Sequence, residues 1–393
     1  MELDIIQIFS LLIVFVSLIL AAFLLTMRSA NYLSNVLLAM FLIVGAIDAD
    51  SIFLRNYIYP NYPALGLFLN SSVFFKLPLL YLYLFAVTFS DFKLKWKHLW
   101  HGVPFIIDIL IFIPRFYSQD IAGQLAYFEL SDSTPHRLIE VQISYLLIHA
   151  QIAVYLVLNF LLVNKYRRLL LENFSNASLF NYKWLFHFLI IFSAMTIMAT
   201  LKNLFLFFGS EEAYFYTMVT TAFIALGYIV WMVLKAMRYP ELFRGIDSKL
   251  QLVTTMVKDE GDAESDRLTE NVDRPVKFDE KVHFVNRYMT KNEPFLDPSL
   301  TIYDLSKQIE MPAKDLSLLI NHELNQHFFD FVNGFRIRKA MEILADLDKK
   351  DLTVLEILYD VGFNSKSSFN TAFKKYTQLT PTEYRKKHLK SAA

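Results

Sequence analysis

The sequence predicts an all-α protein in two unlike parts: a seven-helix transmembrane bundle, then a soluble domain of short amphipathic helices. Three observations carry that expectation. Hydrophobic residues make up 55% of the 393 positions and the mean hydropathy is +0.35, above the roughly 45–50% apolar share of a soluble protein. The apolar excess lies before residue 240 and most of the charge after it, which excludes a single soluble domain. The apolar part also divides into stretches near the ~20 residues that a helix needs to cross a hydrocarbon core. The 38 basic and 38 acidic side chains cancel, so a uniformly basic nucleic-acid coat is excluded. The chain has no cysteine, which removes disulfides, thiolate metal sites and cysteine nucleophiles.

The expected spans lie near 5–27, 32–54, 65–90, 98–114, 139–163, 183–209 and 213–235. The first carries no charge, and Glu2 and Asp4 ahead of it are the wrong sign for a cleaved signal peptide. The fourth is short and contains His101 and Asp108. Orientation follows from lysine and arginine in the short loops. One side collects Arg28, Lys93, Lys95, Lys97, Lys165, Arg167, Arg168, Lys183, Lys235, Arg238 and Arg244, against Arg55, Arg115 and Arg137 on the other. The richer side is expected to be cytoplasmic, with the N-terminus outside and everything after Tyr239 inside. An odd number of spans makes those two statements compatible. The expected location is therefore the inner (cytoplasmic) membrane of a bacterial cell, as a multi-pass protein.

Asp48, Asp50, Lys76, Asp108, His149, His187 and Lys202 fall within the spans, and all but His187 lie at mid-depth or in the outer half. Charge in lipid is costly, so these groups should face the bundle interior or a wet cavity. One reading is a pocket open to the outside for a small-molecule or envelope signal, with Lys76 and Lys202 facing Asp48, Asp50 and Asp108, and His149 nearby. The other is internal ion pairs that fix helix packing. The histidine spacing gives no support to a metal site, and no cofactor is expected.

Residues 1–240 thus form the expected sensor domain. A linker at 241–275 follows, opening on Ile246, Leu250, Val253, Met256 and Val257 at helical spacing, a candidate dimer contact. It then turns acidic and polar, with nothing to bury a core. From 276 to 393 the pattern becomes short amphipathic helices. Thr301 with Asp304 fits a capping box before Leu305 and Ile309; Met311-Pro312 breaks the chain, and Leu316, Leu319, Ile320 and Leu324 line a second helix. The same helix–turn–helix arrangement recurs. Thr353 with Glu356 caps a helix bearing Ile357 and Leu358, Gly362 supplies a turn that needs positive φ, and Phe369, Ala372 and Phe373 face inward on the next helix. A long helix, Phe328 to Leu347, joins the two units, and Pro381 opens a last short helix.

Here the chain resembles a known family. The segment Phe278–His388 is similar to the AraC/XylS-type DNA-binding domain. The matched features between Leu352 and Lys386 are Ile357, Val361-Gly362-Phe363, Phe369, Phe373-Lys374-Lys375, Thr380-Pro381 and Tyr384-Arg385. The resemblance covers under a third of the chain. It implies two helix-turn-helix units on a long helix and double-stranded DNA as partner; RNA polymerase and, through the 246–257 stretch, a second copy of the chain are the further partners expected. Charge agrees: from Asn364 to Lys390 seven lysines and arginines stand against Glu383 alone, a footprint suited to phosphate. A recognition helix enters the major groove N-terminus first. Its outward residues are Ser365, Lys366, Ser367, Asn370, Thr371 and Lys374, with Lys375 and Arg385 adding charge. Asn370 suits adenine and Lys366 guanine. In the first unit the outward candidates are Lys314, Ser317, Asn321 and His322. Leu318 and Thr371 stand where the family commonly has arginine, so the first unit is expected mainly to orient the domain on the backbone.

The function expected is a one-component membrane regulator. A receptor or transporter whose C-terminal bundle docks a protein would explain the intramembrane charges equally well, but not the paired helix-turn-helix match. An enzyme is not expected, because no HExxH, nucleotide glycine loop or nucleophile elbow is present.

Overall fold

The structure is a computed structural model of the chain and describes residues 5–26, 32–49, 53–89, 92–133, 137–175, 179–208, 210–238 and 274–391. Asp50 and nearly all of the expected 241–275 linker lie outside those residues. The described residues contain helices and no strand. Their contacts separate the chain into two compact units, Met1–Asn164 with Phe180–Ser248, and Lys165–Leu179 with Lys249–Ala393.

Seven helices of the first part are long and apolar enough to cross a membrane. They are α1 (Ile5–Thr26), α2 (Tyr32–Ala49), α3 (Pro63–Thr88), α4 (Trp96–Tyr117), α6 (Ile139–Asn173), α7 (Leu179–Phe208) and α8 (Glu211–Arg238). The additional helix α5 (Ile121–Ser133) precedes α6; it has no strong apolar run, and the sequence pattern left it as a connection. Within this unit α2 packs on α1 and α3, and α1 packs on α8.

The faces of α1 explain the composition. Ile8, Leu12, Phe15, Ile19 and Phe23 form an exposed apolar stripe, while Ser10, Ile13, Ser17, Leu20, Ala21 and Leu24 are buried. Small buried residues let helices approach closely where lipid, not water, is the solvent. On α6 the same inversion holds: Leu146, Val154, Val157 and Leu161 are exposed, while Gln151 and Asn159 are buried, Gln151 Nε2 donating to Phe74 O at 3.0 Å. Polar groups inside and apolar groups outside reverse the arrangement of a water-soluble bundle.

At 35 residues, α6 is about 52 Å long and exceeds a hydrocarbon core of about 30 Å. It also outruns the expected 139–163. Its C-terminal end, with Lys165, Arg167 and Arg168, belongs to the second compact unit.

That unit continues with α9 (Arg274–Asn292), α10 (Ile302–Gln308), α11 (Ala313–Leu318), α12 (Phe328–Ala345), α13 (Val354–Asp360), α14 (Lys366–Thr377) and α15 (Pro381–Ser391). Two cores lie side by side along α12. Phe328, Phe331, Val332 and Phe335 close one with Val285, Met289, Leu305, Leu316 and Ile320. Ile337, Ala340, Ile343 and Leu344 close the other with Ile357, Leu358, Val361, Phe369 and Phe373. Arg336 stands where the two meet and is fully buried. Its Nε donates to Phe295 O and its Nη2 to Asp297 O, each at 2.7 Å. Nη1 and Nη2 also donate to Ser175 O and Ser175 Oγ at 3.2 and 3.1 Å. Burial pushes the guanidinium down to about 10, which still leaves it charged at neutral pH. Ser175 is held a second time, its N–H donating to Leu300 O at 3.1 Å, beside a Phe174–Thr301 backbone bridge.

Candidate nucleic-acid interface and membrane cavity

The second helix-turn-helix unit is built by local rules. Thr353 Oγ1 accepts from Glu356 N at 3.1 Å, and Thr353 N donates to Glu356 Oε2 at 2.7 Å, the reciprocal bonds of a capping box that starts α13. The helix ends at Val361, and Gly362 turns the chain at φ 88°. Its N–H donates to Tyr359 O and that of Phe363 to Leu358 O. Ser365 then caps α14, accepting from Ser368 N at 3.2 Å.

On α14, Phe369, Ala372 and Phe373 are buried in the second core, while Lys366, Ser367, Thr371 and Lys374 are exposed and Asn370 is half-buried. The structure therefore brings Lys366, Ser367, Asn370 and Lys374 to one outward face, as the helical spacing requires. Ser365 and Thr371 also face out, with their hydroxyls engaged. Ser365 Oγ pairs with Ser368 Oγ at 2.7 Å, and Thr371 Oγ1 donates to Ser367 O at 2.8 Å. Lys375 is exposed but bonded to Asp330 Oδ1 at 2.6 Å, an ion pair across to α12. Arg385 differs from its expected role. Its Nε and Nη2 are buried with no hydrogen-bond partner among the described residues.

The first unit departs further. A capping box again starts α10, with Thr301 N donating to Asp304 Oδ2 at 3.0 Å and Asp304 N to Thr301 Oγ1 at 3.2 Å. Glu310 takes φ 54° in the turn, and α11 follows. After Leu318 the winding widens to a π-turn over Leu319–Glu323. Ser317, expected outward, is buried with 4% exposure and accepts through its carbonyl and Oγ from Asn321 Nδ2 at 2.9 and 3.2 Å. The wider winding rotates the later residues and folds Asn321 back onto Ser317. Lys314 remains exposed, and the side chain of His322 lies outside the described residues.

In the other unit, Lys76 Nζ meets Asp48 Oδ2 at 2.6 Å, and both line a cavity of about 410 Å³ together with Lys202 and Asn203. Asp108 does not join them. It is buried on α4 near Ser71 and Ser144 and does not line this cavity. His149 is also absent from the lining; its Nδ1 bonds to Tyr145 O at 2.5 Å within its own helix. Position along a span fixes depth but not which neighbour a side chain faces, and that accounts for both departures. No group of three or more metal-binding side chains was found among the described residues.

Residues 305–387 match a family described as a helix-turn-helix domain. Two relatives illustrate the regulators that match part of this chain. The melibiose operon regulatory protein of Escherichia coli (strain K12) is 29% identical over 90 residues, 23% of this chain and 29% of that protein. An uncharacterized transcriptional regulatory protein of Bacillus subtilis (strain 168) is 32% identical over 93 residues, 23% of this chain and 25% of that protein. Residues 305–387 are an AraC-type helix-turn-helix domain. The match thus spans under a third of each relative's length. A solved structure, the C-terminal domain of AraT, a response regulator from Geobacillus stearothermophilus, is 30% identical, with a TM-score of 0.24, over 26% of this chain and 84% of that one. The AraC-type domain binds DNA as a class, and the relatives are named as regulators rather than enzymes.

Proposed function

We propose that this chain is a membrane-bound one-component transcriptional regulator. In this reading the AraC-type domain reads DNA in the cytoplasm, and the seven-helix unit holds it at the inner membrane and receives a signal from the outer side. The observation that carries the reading is the union in one chain of a DNA-binding domain with seven apolar helices, of which α1 and α6 turn apolar faces outward and polar side chains inward. The loop charge supports the orientation. The Asp48–Lys76–Lys202 cavity supports a signal site, since charge inside a span marks function by default.

Lys366 and Asn370 near the start of α14 are the base-reading residues, and Lys374 supports them on phosphate. In-cell crosslinking of the full chain to DNA, followed by sequencing of the bound fragments, tests this. Wild type should occupy discrete loci. Lys366→Ala and Asn370→Ala should each lower occupancy about tenfold or more, the scale of one base contact, at unchanged abundance in the membrane fraction. Unchanged loci in both variants would overturn the assigned recognition helix, and recovery of the chain in the soluble fraction would overturn the membrane reading.

A further inference from the structure

The cavity of the seven-helix unit has a chemical polarity that identifies its ligand class. Its charged lining is two lysines and one aspartate, Lys76, Lys202 and Asp48. Asp48 is spent on Lys76 at 2.6 Å. The ammonium of Lys202 makes no hydrogen bond and no ion pair among the described residues, and the neighbouring Asn203 amide makes no hydrogen bond. Two threonine hydroxyls of the lining are already used: Thr196 donates to Phe192 O at 2.8 Å and Thr221 to Thr217 O at 2.7 Å. Among the described residues of the lining, the single carboxylate of Asp48 acts on both ammoniums, so two lysines against one aspartate leave one positive charge in excess, beside the Asn203 amide. An uncompensated charge away from water is expensive, so the missing element is a single anion.

The rest of the lining is apolar. Phe41, Phe192, Ile229 and Met232 continue it away from the charged end, and Phe41 and Phe192 meet edge to face with centroids 5.8 Å apart. From Thr221 to Met232 the cavity follows about 16 Å of α8. At about 410 Å³ it falls within the roughly 300–1,000 Å³ of small-molecule sites. We infer that this cavity binds an anionic amphiphile, one carboxylate or phosphate head on Lys202 and Asn203 with an alkyl tail running along α8 toward Met232. The inference deepens the regulator reading by giving the class of signal, and it rests on that reading for its role.

The test uses the full chain in phosphatidylcholine nanodiscs, without DNA, and radiolabelled dodecanoate as probe. Saturable binding is expected. Dodecan-1-ol, which has the tail without the charge, and acetate, which has the head without the tail, should each compete at least about tenfold less well than unlabelled dodecanoate, the scale of one charge-assisted hydrogen bond. Lys202→Met should weaken binding about tenfold or more, and Lys202→Arg should retain it. Repeating the measurement with phosphatidylglycerol in the disc separates the sources. Displacement of dodecanoate identifies the head as a membrane lipid's, and undiminished binding identifies a free amphiphile; both support the anionic head. Absence of saturable binding, equal competition by dodecan-1-ol, or equal affinity in a folded Lys202→Met would overturn the inference. The competition arm needs no variant, so it stands if Lys202→Met misfolds. Because no DNA is present, failure here is distinct from failure of the crosslinking experiment.

Discussion

Gly362 is the position where a single methyl group should do most harm. It sits at φ 88°, where an L-residue is worse than glycine by about 1–2 kcal/mol. A Cβ built there would also lie 2.6 Å from Phe295 O and 2.7 Å from Leu296 O. Both are backbone atoms of the segment that Arg336 clamps, so they cannot rotate aside as a side chain would. Relieving that overlap should cost a further ~1–3 kcal/mol, as overpacking does elsewhere. The sum, about 2–5 kcal/mol, is a large part of the ~5–15 kcal/mol that holds a domain folded. Fragment 276–393 contains both cores of the AraC-type domain, so its melting, followed by circular dichroism, is the assay. Gly362→Ala should lower Tm by roughly 10 °C or more, at about 4–8 °C per kcal/mol for a domain near this size. A fall of less than about 3 °C would refute the reasoning, because neither the φ nor the carbonyl overlap would then be costing what the geometry requires.

Two further outcomes follow from the same domain. Arg336→Met removes the donors to Phe295 O and Asp297 O and leaves buried carbonyls unpaired at about 1–3 kcal/mol each; in urea titration of the fragment the midpoint should fall sharply, and Arg336→Lys should recover only part, since an ammonium lacks the planar fork. The carboxyls of Glu356 and Glu383 are held below the ordinary glutamate value by backbone and then hydroxyl hydrogen bonds from Thr353 and Thr380. A lowered folded-state value means the stabilisation is present above the unfolded value near 4.5 and is lost as pH falls through the folded one, so Tm measured from pH 6 to pH 3 should drop less steeply in the Glu356→Gln/Glu383→Gln double variant than in wild type.

What the sequence revealed and what it hid divide along physical lines. Local rules were readable: the capping boxes at Thr301 and Thr353, the positive φ at Gly362 and the outward stripe of α14 each depend on residues within a few positions of one another. The seven long apolar helices were readable because their length and composition need no knowledge of a partner. Tertiary facts were not. Asn321 folds back onto the buried Ser317 because the winding widens after Leu318, which no helical wheel anticipates. Asp108 and His149, expected at the depth of Lys76, do not share the cavity that it lines. Arg336 lay in plain view between Phe335 and Ile337, yet a cation in a long helix reads as solvent-facing until the carbonyls that receive it are known. Its place on the inward stripe of α12 was the available signal. The pattern ends the fifth span at 163 and reads Lys165, Arg167 and Arg168 as a loop, whereas the helix runs on to Asn173, and the contacts just beyond it at Phe174 and Ser175 are with residues more than a hundred positions away.

The division of α12 between two cores has a consequence for how the AraC-type domain breathes. Amides from Phe328 to Phe335 are shielded by one set of side chains and those from Ile337 to Leu344 by another, so one helix carries two opening equilibria. Local unfolding in proteins follows such packing units rather than the bounds of an element. Buried Arg336 spans both, since it reaches the Phe295–Asp297 loop of one half and lies 5.6 Å from the Phe363 ring of the other. That side chain ties the two halves together, and each is free to loosen on its own once it is disturbed. The domain is a pair of semi-independent readers on a common axle, and engagement of DNA by the α14 half alone would stiffen half a helix before it stiffened the whole.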